Sequence, residues 1–206
     1  GLIAQRFDFV DVTLNGKHLP VYAIEENYEK RLLENNHLRE GPIFLARTGS
    51  WGMYGPGTEN VRRFREQFLT LKAIDFYQPN KYSQNAEFMK LVHAAESRVE
   101  AYRQGSLPFS KVFDVDKMGK LLALTDLVGS PHTLSATNSR YYFNPVTRFI
   151  EPIASDNSIP LSGSIFNIIG SGQRFASRAS KGLSRSNVWP LAAFRDKVLF
   201  KKYIEA

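Results

Sequence analysis

The stretch from His132 to Asp156, HTLSATNSRYYFNPVTRFIEPIASD, has the pattern of two strands joined by a tight turn. The predicted strands are Ser139–Phe143 and Arg148–Ile153, and both are rich in aromatic and β-branched residues. The dipeptide Asn144-Pro145 between them is typical of a turn. The pattern therefore predicts a β-hairpin, whose two flanking loops meet at one edge of a sheet.

Two oxygen-bearing side chains flank this hairpin. Asn138 precedes its first strand and Asp156 follows its second, so the hairpin predicts that the amide and the carboxylate lie close together. Both groups are hard oxygen ligands, which suit Mg²⁺ carrying the phosphates of a nucleotide. Asn and Asp are also ordinary loop residues, so this pattern alone leaves a purely structural role open.

A second hairpin is predicted near the start of the chain. Apolar and polar residues alternate from Phe7 to Leu14, Asn15-Gly16 follows, and Leu19 to Ile24 forms the return strand. Asn-Gly between two such runs favours a type I′ turn, because both central residues of that turn need a positive φ. The charged stretch Glu25 to Asn35 is predicted to be a helix.

Two long helices are predicted in the middle of the chain. Asn85 to Arg103 carries apolar residues at spacings of three and four, which is typical of an amphipathic helix. The next helix begins at Asp114 or Asp116 and is almost wholly apolar after Lys120, which predicts burial. Asp126 lies within that apolar stretch, and we expect it to accept a structural hydrogen bond from the loop backbone rather than to bind a metal.

Two stretches, VDVTLNGKHLPVYAIEENYEKRLLENN and FDVDKMGKLLALTDLVGSPHTLSATNSRYYFNPVTRFIEPIASD, resemble the CotH kinase family, named after a bacterial spore-coat protein. Three family features occur in the family's order. They are a hairpin of the type v-x-v-x-x-N-G-x-x-x-G-x-Y-x-x-x-E, a helix that begins near D-x-D and ends in L-x-G, and a hairpin similar to N-x-Y-x-Y-x-N-P-x-T-G that closes on an acidic residue. The match covers most of residues 8 to 156.

The resemblance implies an α+β, protein-kinase-like fold with an incomplete N-terminal lobe. Residues 1–206 then form a single domain, with a small-lobe part over about 1–80 and a helical large-lobe part over about 81–206. The resemblance also implies ATP and Mg²⁺ as cofactors, with Asn138 and Asp156 as ligands of the metal and the nucleotide. The implied reaction is phosphoryl transfer to a hydroxyl group of a protein or another acceptor.

The chain departs from the family pattern at three places. The family's catalytic Asp, five residues before the loop Asn, falls on Thr133, so His132 is the candidate base, although it also fits a packing role beside Pro131. Pro20 replaces a Gly that precedes the hairpin Tyr, and Arg47 is the candidate for the family's phosphate-contacting Lys. A second function therefore stays open, namely a kinase-like domain without catalysis that serves as a binding or scaffold module.

A cationic segment, from Gln173 to Asn187, follows the second hairpin. Its cations lie among Ser and Gly, which resist packing into a core, and they are Arg174, Arg178, Lys181 and Arg185. We expect this segment to bind an acidic acceptor or phosphates, and a solvated loop is the alternative. The Gly-rich stretch 48–60 lacks both the Walker and the G-x-G-x-x-G patterns, which favours a structural loop.

Composition narrows the classes of partner. A net charge of +7 and a pI near 9.6 favour a nucleotide or another anionic partner, but no specific nucleic-acid motif accompanies them. The absence of Cys excludes disulfides and Cys-bound zinc, and no pair of His has the spacing of a zinc hydrolase. No apolar run is long enough to span a membrane. We interpret the chain as a fragment of a longer protein, which leaves localisation open between the bacterial cell envelope and the cytoplasm.

Overall fold

The computed structural model describes residues 1–46, 74–129, 132–134, 138–155, 168 and 193–206, which form a mixed α+β fold. The strands in these ranges are β1 (Ile3–Ala4), β2 (Phe7–Val10), β3 (Thr13–Leu14), β4 (Lys17–His18), β5 (Tyr22–Glu25), β6 (Ile43–Ala46), β7 (Ile74–Phe76), β8 (Arg140–Phe143) and β9 (Ile150–Ala154). The helices are α1 (Lys30–Asn35), α2 (Pro79–Ser83), α3 (Ala86–Arg103), α4 (Phe109–Val112), α5 (Val115–Val128) and α6 (Lys197–Glu205). A 3-10 turn covers His132–Leu134.

The central sheet has five strands in the order β1-β9-β8-β6-β7. It is mixed, because β1 runs parallel to β9 whereas the other neighbours are antiparallel. Strands from before and after residue 80 lie side by side in this sheet, since β6 pairs with β8. The predicted division into a small-lobe and a large-lobe part stays a prediction.

Strand β8 lies at the centre of the sheet and is buried on both faces. Tyr141 and Phe143 point to one face, where they pack in the main core with residues of α3, α4 and α5. Tyr142 points to the other face, where Leu32 and Leu33 of α1 cover it. All three aromatic side chains of β8 are almost wholly buried, as expected of a strand with a packed layer on each side.

The predicted β8–β9 hairpin is confirmed, with a connection longer than expected. The side chain of Asn144 accepts hydrogen bonds from the backbone N–H groups of Val146 and Thr147, which makes an Asx-type turn. Arg148 has a φ of 63° and donates its N–H to the carbonyl of Asn144. Arg148 is therefore part of the connection, and β9 begins at Ile150.

The predicted N-terminal hairpin forms, but the return strand expected over Leu19 to Ile24 is interrupted, because β4 ends at His18 and β5 begins at Tyr22. β2 pairs with β5, β3 pairs with β4, and Asn15 and Gly16 have φ values of 51° and 76°, as a type I′ turn requires. The helix predicted over Glu25 to Asn35 begins only at Lys30, because Glu25 still belongs to β5 and a turn at Asn27 follows it.

Both long helices form where the sequence predicts them. Asn85 caps α3 by accepting from the N–H of Phe88, and Asp114 caps α5 by accepting from the N–H of Lys117. One side of α5 is buried, but Leu127 in its last turn is 84% exposed, so the expected burial around most of the helix is wrong at this end. None of the helices in the described ranges is long and apolar enough to cross a lipid bilayer.

Candidate functional site

The candidate site lies at the end of the sheet where β8 begins and β9 ends. Arg140 is paired with Ile153 across the two strands. Asn138 precedes this pair by two residues on one strand, and Ser155, the last described residue after β9, follows it by two residues on the other. Asp156, which follows Ser155 directly in the chain, lies outside the described residues.

Asn138 contacts His132 in the loop before β8. The amide nitrogen of Asn138 donates a hydrogen bond to Nδ1 of His132 over 3.0 Å. His132 is exposed at the surface, whereas Asn138 is half-buried. The structure therefore brings together the predicted amide ligand and the predicted base within one loop.

Thr133, which occupies the register of the family's catalytic Asp, is part of the protein interior. Its backbone carbonyl accepts a hydrogen bond from the hydroxyl of Ser139 over 3.1 Å. Its own hydroxyl is buried and has no hydrogen-bond partner among the described residues. Leu134, next to it, is fully buried in the main core and anchors the loop there.

Arg140 is a cation at this site that the sequence analysis missed. Its Nε donates to the hydroxyl of Tyr77 over 3.0 Å, and its guanidinium carbon lies 5.1 Å from the ring centre of Tyr28. The two tyrosine rings are themselves 4.9 Å apart. The sequence signal was a cation at the first position of an otherwise apolar strand, two residues after Asn138.

A second buried hydroxyl, that of Ser155, lies beside Tyr28. Burial raises the pKa of Tyr28 above its ordinary value, and the nearby Ser155 hydroxyl opposes this rise. The hydroxyl of Tyr28 donates to Oε1 of Gln5 over 2.8 Å. The Ser155 hydroxyl oxygen is buried and has no hydrogen bond of normal geometry to the described part of the chain.

Asp126 has structural partners, as its position within α5 predicts. Its Oδ1 accepts a hydrogen bond from the backbone N–H of Ile168 over 2.7 Å, and its Oδ2 accepts from the hydroxyl of Tyr203. Burial, followed by the hydrogen bond to this carboxylate, raises the pKa of Tyr203. The backbone donor belongs to Ile168 rather than to the loop that follows α5.

The remaining predicted site residues lie outside the described ranges. These residues are Arg47, Asp156, Arg174, Arg178, Lys181 and Arg185. The Gly-rich stretch 48–60 lies outside them as well. The roles assigned to these residues stay predictions.

The donor set predicted from the sequence, the Asn138 amide and the Asp156 carboxylate, is of a type that suits a hard cation. An amide oxygen and a carboxylate are ligands that Mg²⁺ accepts, and Mg²⁺ usually completes its shell with waters and substrate phosphates. The hydroxyls of Thr133 and Ser155 are buried and have no hydrogen-bond partner within the described ranges. In the same ranges no three His, Cys, Asp or Glu side chains are grouped to hold a metal.

No model of a known protein family matches this chain, and no curated protein matches it either.

Proposed function

We propose that this chain transfers a phosphoryl group from Mg-ATP to a hydroxyl group of a protein or another acceptor. The observation that supports the proposal is the pairing of Arg140 with Ile153, since Asn138 precedes Arg140 by two residues and Ser155 follows Ile153 by two residues at the same end of the hairpin. Asp156 is the next residue in the chain, and consecutive Cα atoms are about 3.8 Å apart. The amide and the carboxylate would therefore both extend from the same end of the hairpin.

The order of elements supports a protein-kinase-like fold of the CotH type. A helix capped by Asp114 leads through Gly129 and a short loop to Asn138, and a hairpin then leads to Ser155. Protein kinases likewise place an Asn at the end of the catalytic loop and an Asp beyond the next hairpin. An incomplete N-terminal lobe, with its small-lobe and large-lobe parts, belongs to the same proposal.

The residues of the site divide the chemistry between them. Asn138 and Asp156 would hold Mg²⁺, which when bound neutralises charge on the nucleotide phosphates. Phosphoryl transfer depends mainly on the positioning of the reactants and on neutralisation of their charge. The lack of a carboxylate at Thr133 would therefore slow the reaction without abolishing it. His132 lies beside Asn138 and shapes the loop that carries the ligand.

The cationic segment from Gln173 to Asn187 would bind the acceptor. Its four basic residues lie among Ser and Gly and attract an acidic acceptor through charges that salt screens over about 10 Å at 0.1 M. Reversing Arg178 and Lys181 to Glu should weaken acceptor binding and leave Mg-nucleotide binding nearly intact. If both affinities fall together, or neither changes, the segment is not a separate acceptor site.

A non-catalytic binding or scaffold module is the second candidate. It is favoured by the buried hydroxyl at Thr133, which cannot act as a base near neutral pH, and by the engagement of Nδ1 of His132 with Asn138. Such a module binds the nucleotide without transferring phosphate. The two candidates therefore differ in turnover and not in nucleotide affinity.

Calorimetric titration with ATP, with and without Mg²⁺, tests the nucleotide site. We expect binding that needs Mg²⁺ and that is lost in Asp156→Ala and reduced in Asn138→Ala, because Asp156 carries the charge. Asn80→Ala and Asp11→Ala are matched controls, since both residues are exposed on other elements and should leave affinity unchanged. Equal ATP affinity in the wild type and all four variants, or no ATP binding by the wild type, contradicts the nucleotide site.

Transfer of labelled γ-phosphate to a mixture of acidic protein acceptors then separates the two candidates. Mg-dependent labelling that Asp156→Ala abolishes supports the phosphotransferase. Nucleotide binding with no labelling at any acceptor concentration supports the scaffold module.

A further inference from the structure

A two-stranded β-arm, residues 7–25, carries apolar side chains into solvent. β2 and β5 form a two-stranded sheet that is separate from the five-stranded sheet. Every residue of the arm is exposed or half-buried, so the arm lies outside both hydrophobic cores of the described residues. A two-stranded hairpin is only marginally stable alone in water, and exposed apolar patches mark interaction sites. The β-arm is therefore a surface that a binding partner would stabilise.

One face of the β-arm, the aromatic face, carries Phe7 and Phe9. In the register of β2 and β5, Phe7 is paired with Glu25 and Phe9 is paired with Ala23. Residues paired in this way share a face of the sheet, as do residues two apart in one strand. The side chains of Phe7 and Phe9 are 60% and 75% exposed. The aromatic face thus combines two rings in solvent with a carboxylate at one end.

A complementary surface lies on the outer side of α6. This helix buries Leu199 in the main core, and its exposed residues include Lys197, Phe200 and Ile204. Phe200 and Ile204 are about 6 Å apart along the helix axis, which is close to the roughly 7 Å between alternate residues of a strand. Lys197 precedes Phe200 by three residues and lies on the same side of the helix. The outer side of α6 therefore matches the aromatic face in spacing, and it supplies a cation for the carboxylate.

Charge favours this match over a contact between two arms. The β-arm has three acidic residues, Asp8, Asp11 and Glu25, and one lysine, whereas the whole chain has a net charge of +7. Two arms would therefore repel each other, and an arm is attracted to the basic remainder of the chain. Phe9 of the arm and Ile204 of α6 are both exposed within one molecule, so an arm does not cover its own α6. The partner that fits is a second copy of this chain.

The exposed apolar area is close to what a stable dimer needs. A whole aromatic side chain buries about 150–250 Å², so at their observed exposures Phe7, Phe9, Phe200 and Ile204 offer roughly 450 Å² per chain. Stable interfaces bury about 800 Å² per partner, of which about 56–65% is apolar. When each chain contributes both an arm and a helix, these four side chains supply most of the apolar part.

We propose that two copies of this chain form a closed, twofold dimer, in which the aromatic face of each β-arm docks on the outer side of α6 of the other copy. Phe7 and Phe9 then cover Phe200 and Ile204, and Glu25 lies beside Lys197. Because the exchange of arms is reciprocal, it leaves no docking surface open, and assembly stops at two copies. This dimer does not depend on the proposed phosphoryl transfer.

Sedimentation equilibrium over a range of micromolar concentrations tests the dimer. We expect the wild type to dimerise, and we expect Phe9→Ser and Ile204→Ser each to raise the dissociation constant at least tenfold, because they remove the two sides of one contact. Val146→Ser is the matched control, since this side chain is 68% exposed in the β8–β9 connection and its loss should leave the constant unchanged. All three variants should melt like the wild-type monomer at low concentration. Unchanged dimerisation in Phe9→Ser and Ile204→Ser overturns the inference.

An exchange of charges tests the contact between Glu25 and Lys197. Glu25→Lys and Lys197→Glu should each weaken the dimer severalfold, and the double variant should restore it. Net charge alone would act differently, because Glu25→Lys raises the positive charge of the chain whereas Lys197→Glu lowers it. A dimer that one variant weakens and the other strengthens would therefore contradict the pairing.

Cross-linking identifies the two surfaces, because the chain has no Cys of its own. We expect a mixture of Phe9→Cys and Ile204→Cys chains to form a disulfide-linked dimer on mild oxidation, and a mixture of Phe9→Cys and Val146→Cys chains to form none. Cross-linking of Phe9→Cys chains to each other would mean that arm packs on arm, which overturns the docking on α6.

A wild type that stays monomeric at every concentration also overturns the inference. Binding of that monomer to vesicles of phosphatidylcholine and phosphatidylglycerol, lost in Phe9→Ser, would then assign the aromatic face to a lipid surface.

Discussion

The amide nitrogen of Asn138 lies 3.0 Å from Nδ1 of His132, so each side chain constrains the orientation of the other. An amide nitrogen only donates, so Nδ1 of His132 is occupied as the acceptor in this contact. This contact therefore favours His132 as a residue that orients Asn138 and disfavours it as a general base.

His132 variants test this assignment. Loss of a general base lowers a transfer rate by about 10²–10⁴. We expect the rate of labelled-phosphate transfer to fall less than about tenfold in His132→Gln, whose side-chain oxygen can still accept from Asn138. His132→Ala should also lower Mg-ATP affinity severalfold, because the Asn138 amide loses its acceptor, and this change is measurable even without turnover. His93→Ala, an exposed site on α3, is the control.

A different result would make His132 the base. In that case both His132 variants lose transfer by a hundredfold or more, while their Mg-ATP affinity stays at the wild-type value.

Local sequence patterns predicted much of this fold. The Asn15-Gly16 turn and the caps at Asn85 and Asp114 follow from residues next to one another in the chain, and each of these predictions is confirmed. Pairing between distant segments is different, because no local pattern encodes it. The parallel pairing of Ile3 with Ile153, which places β1 beside β9, was not predicted.

The candidate site likewise has one part that local sequence predicted and one part that depends on contacts between distant segments. The hairpin pattern placed Asn138 at the edge of the sheet, but the contact of Arg140 with Tyr28 and Tyr77 joins three separate segments. Tyr28 precedes α1, Tyr77 follows β7 and Arg140 begins β8, so only the tertiary structure brings the three side chains together. A single sequence carries the residue types for such a cluster without showing that they will meet.

Gly119 allows α6 to lie directly against α5. A Cβ atom at this position would be 2.7 Å from the carbonyl carbon of Lys202 and 2.9 Å from the backbone nitrogen of Tyr203. Backbone atoms cannot move aside as a side chain does, so we expect Gly119→Ala to lower the free energy of unfolding by about 1–3 kcal/mol through overpacking. The gain in helix propensity, about 1 kcal/mol, offsets part of this loss.

Denaturant unfolding checks the Gly119 prediction. Leu127→Ala is the control, because this side chain of the same helix is 84% exposed and its loss should change stability by less than about 0.5 kcal/mol. A Gly119→Ala protein that is as stable as the wild type would mean that α6 can shift away from α5 at little cost.

Asp196 caps two helices at once. One carboxylate oxygen accepts from the N–H of Ser110 over 2.8 Å, and the other accepts from the N–H of Val198 over 3.0 Å. Partial burial acts to raise the pKa of Asp196, but hydrogen bonds from Ser110, Val198 and Leu199 together lower it below its ordinary value of 3.8. We expect Asp196→Ala to cost about 1–2 kcal/mol for each cap that is lost.

The pH dependence follows from the sign of that shift. Because the folded-state pKa of Asp196 is lowered, its stabilisation is complete above pH 3.8 and is lost as the pH falls through the folded value. The difference in unfolding free energy between the wild type and Asp196→Asn should therefore be constant near neutral pH and shrink below pH 3.8. Asp11→Asn, at an exposed position, should show no such change. A difference that grows on acidification would contradict the assignment.

Lys117 of α5 forms a buried ion pair with Glu151 of β9. The Nζ of Lys117 lies 2.5 Å from one carboxylate oxygen, and the side chain of Asn144 donates to the other over 2.7 Å. The side chain of Glu151 is 1% exposed, so removing its cation leaves a buried charge with only an amide partner. We expect Lys117→Met to lower the free energy of unfolding by about 3 kcal/mol, at the low end for a broken buried pair because Lys117 itself is partly exposed.

Chemical denaturation of Lys117→Met and of Lys120→Met, an exposed site on the same helix, isolates the effect of the pair. The control should lie within about 0.5 kcal/mol of the wild type. Since the pair joins the start of α5 to the β8–β9 hairpin, its loss should also loosen the hairpin that carries Asn138, and Mg-ATP affinity should fall with stability. Equal stability in the two variants would show that the fold tolerates Glu151 without its cation, and that the pair does not hold the hairpin in place.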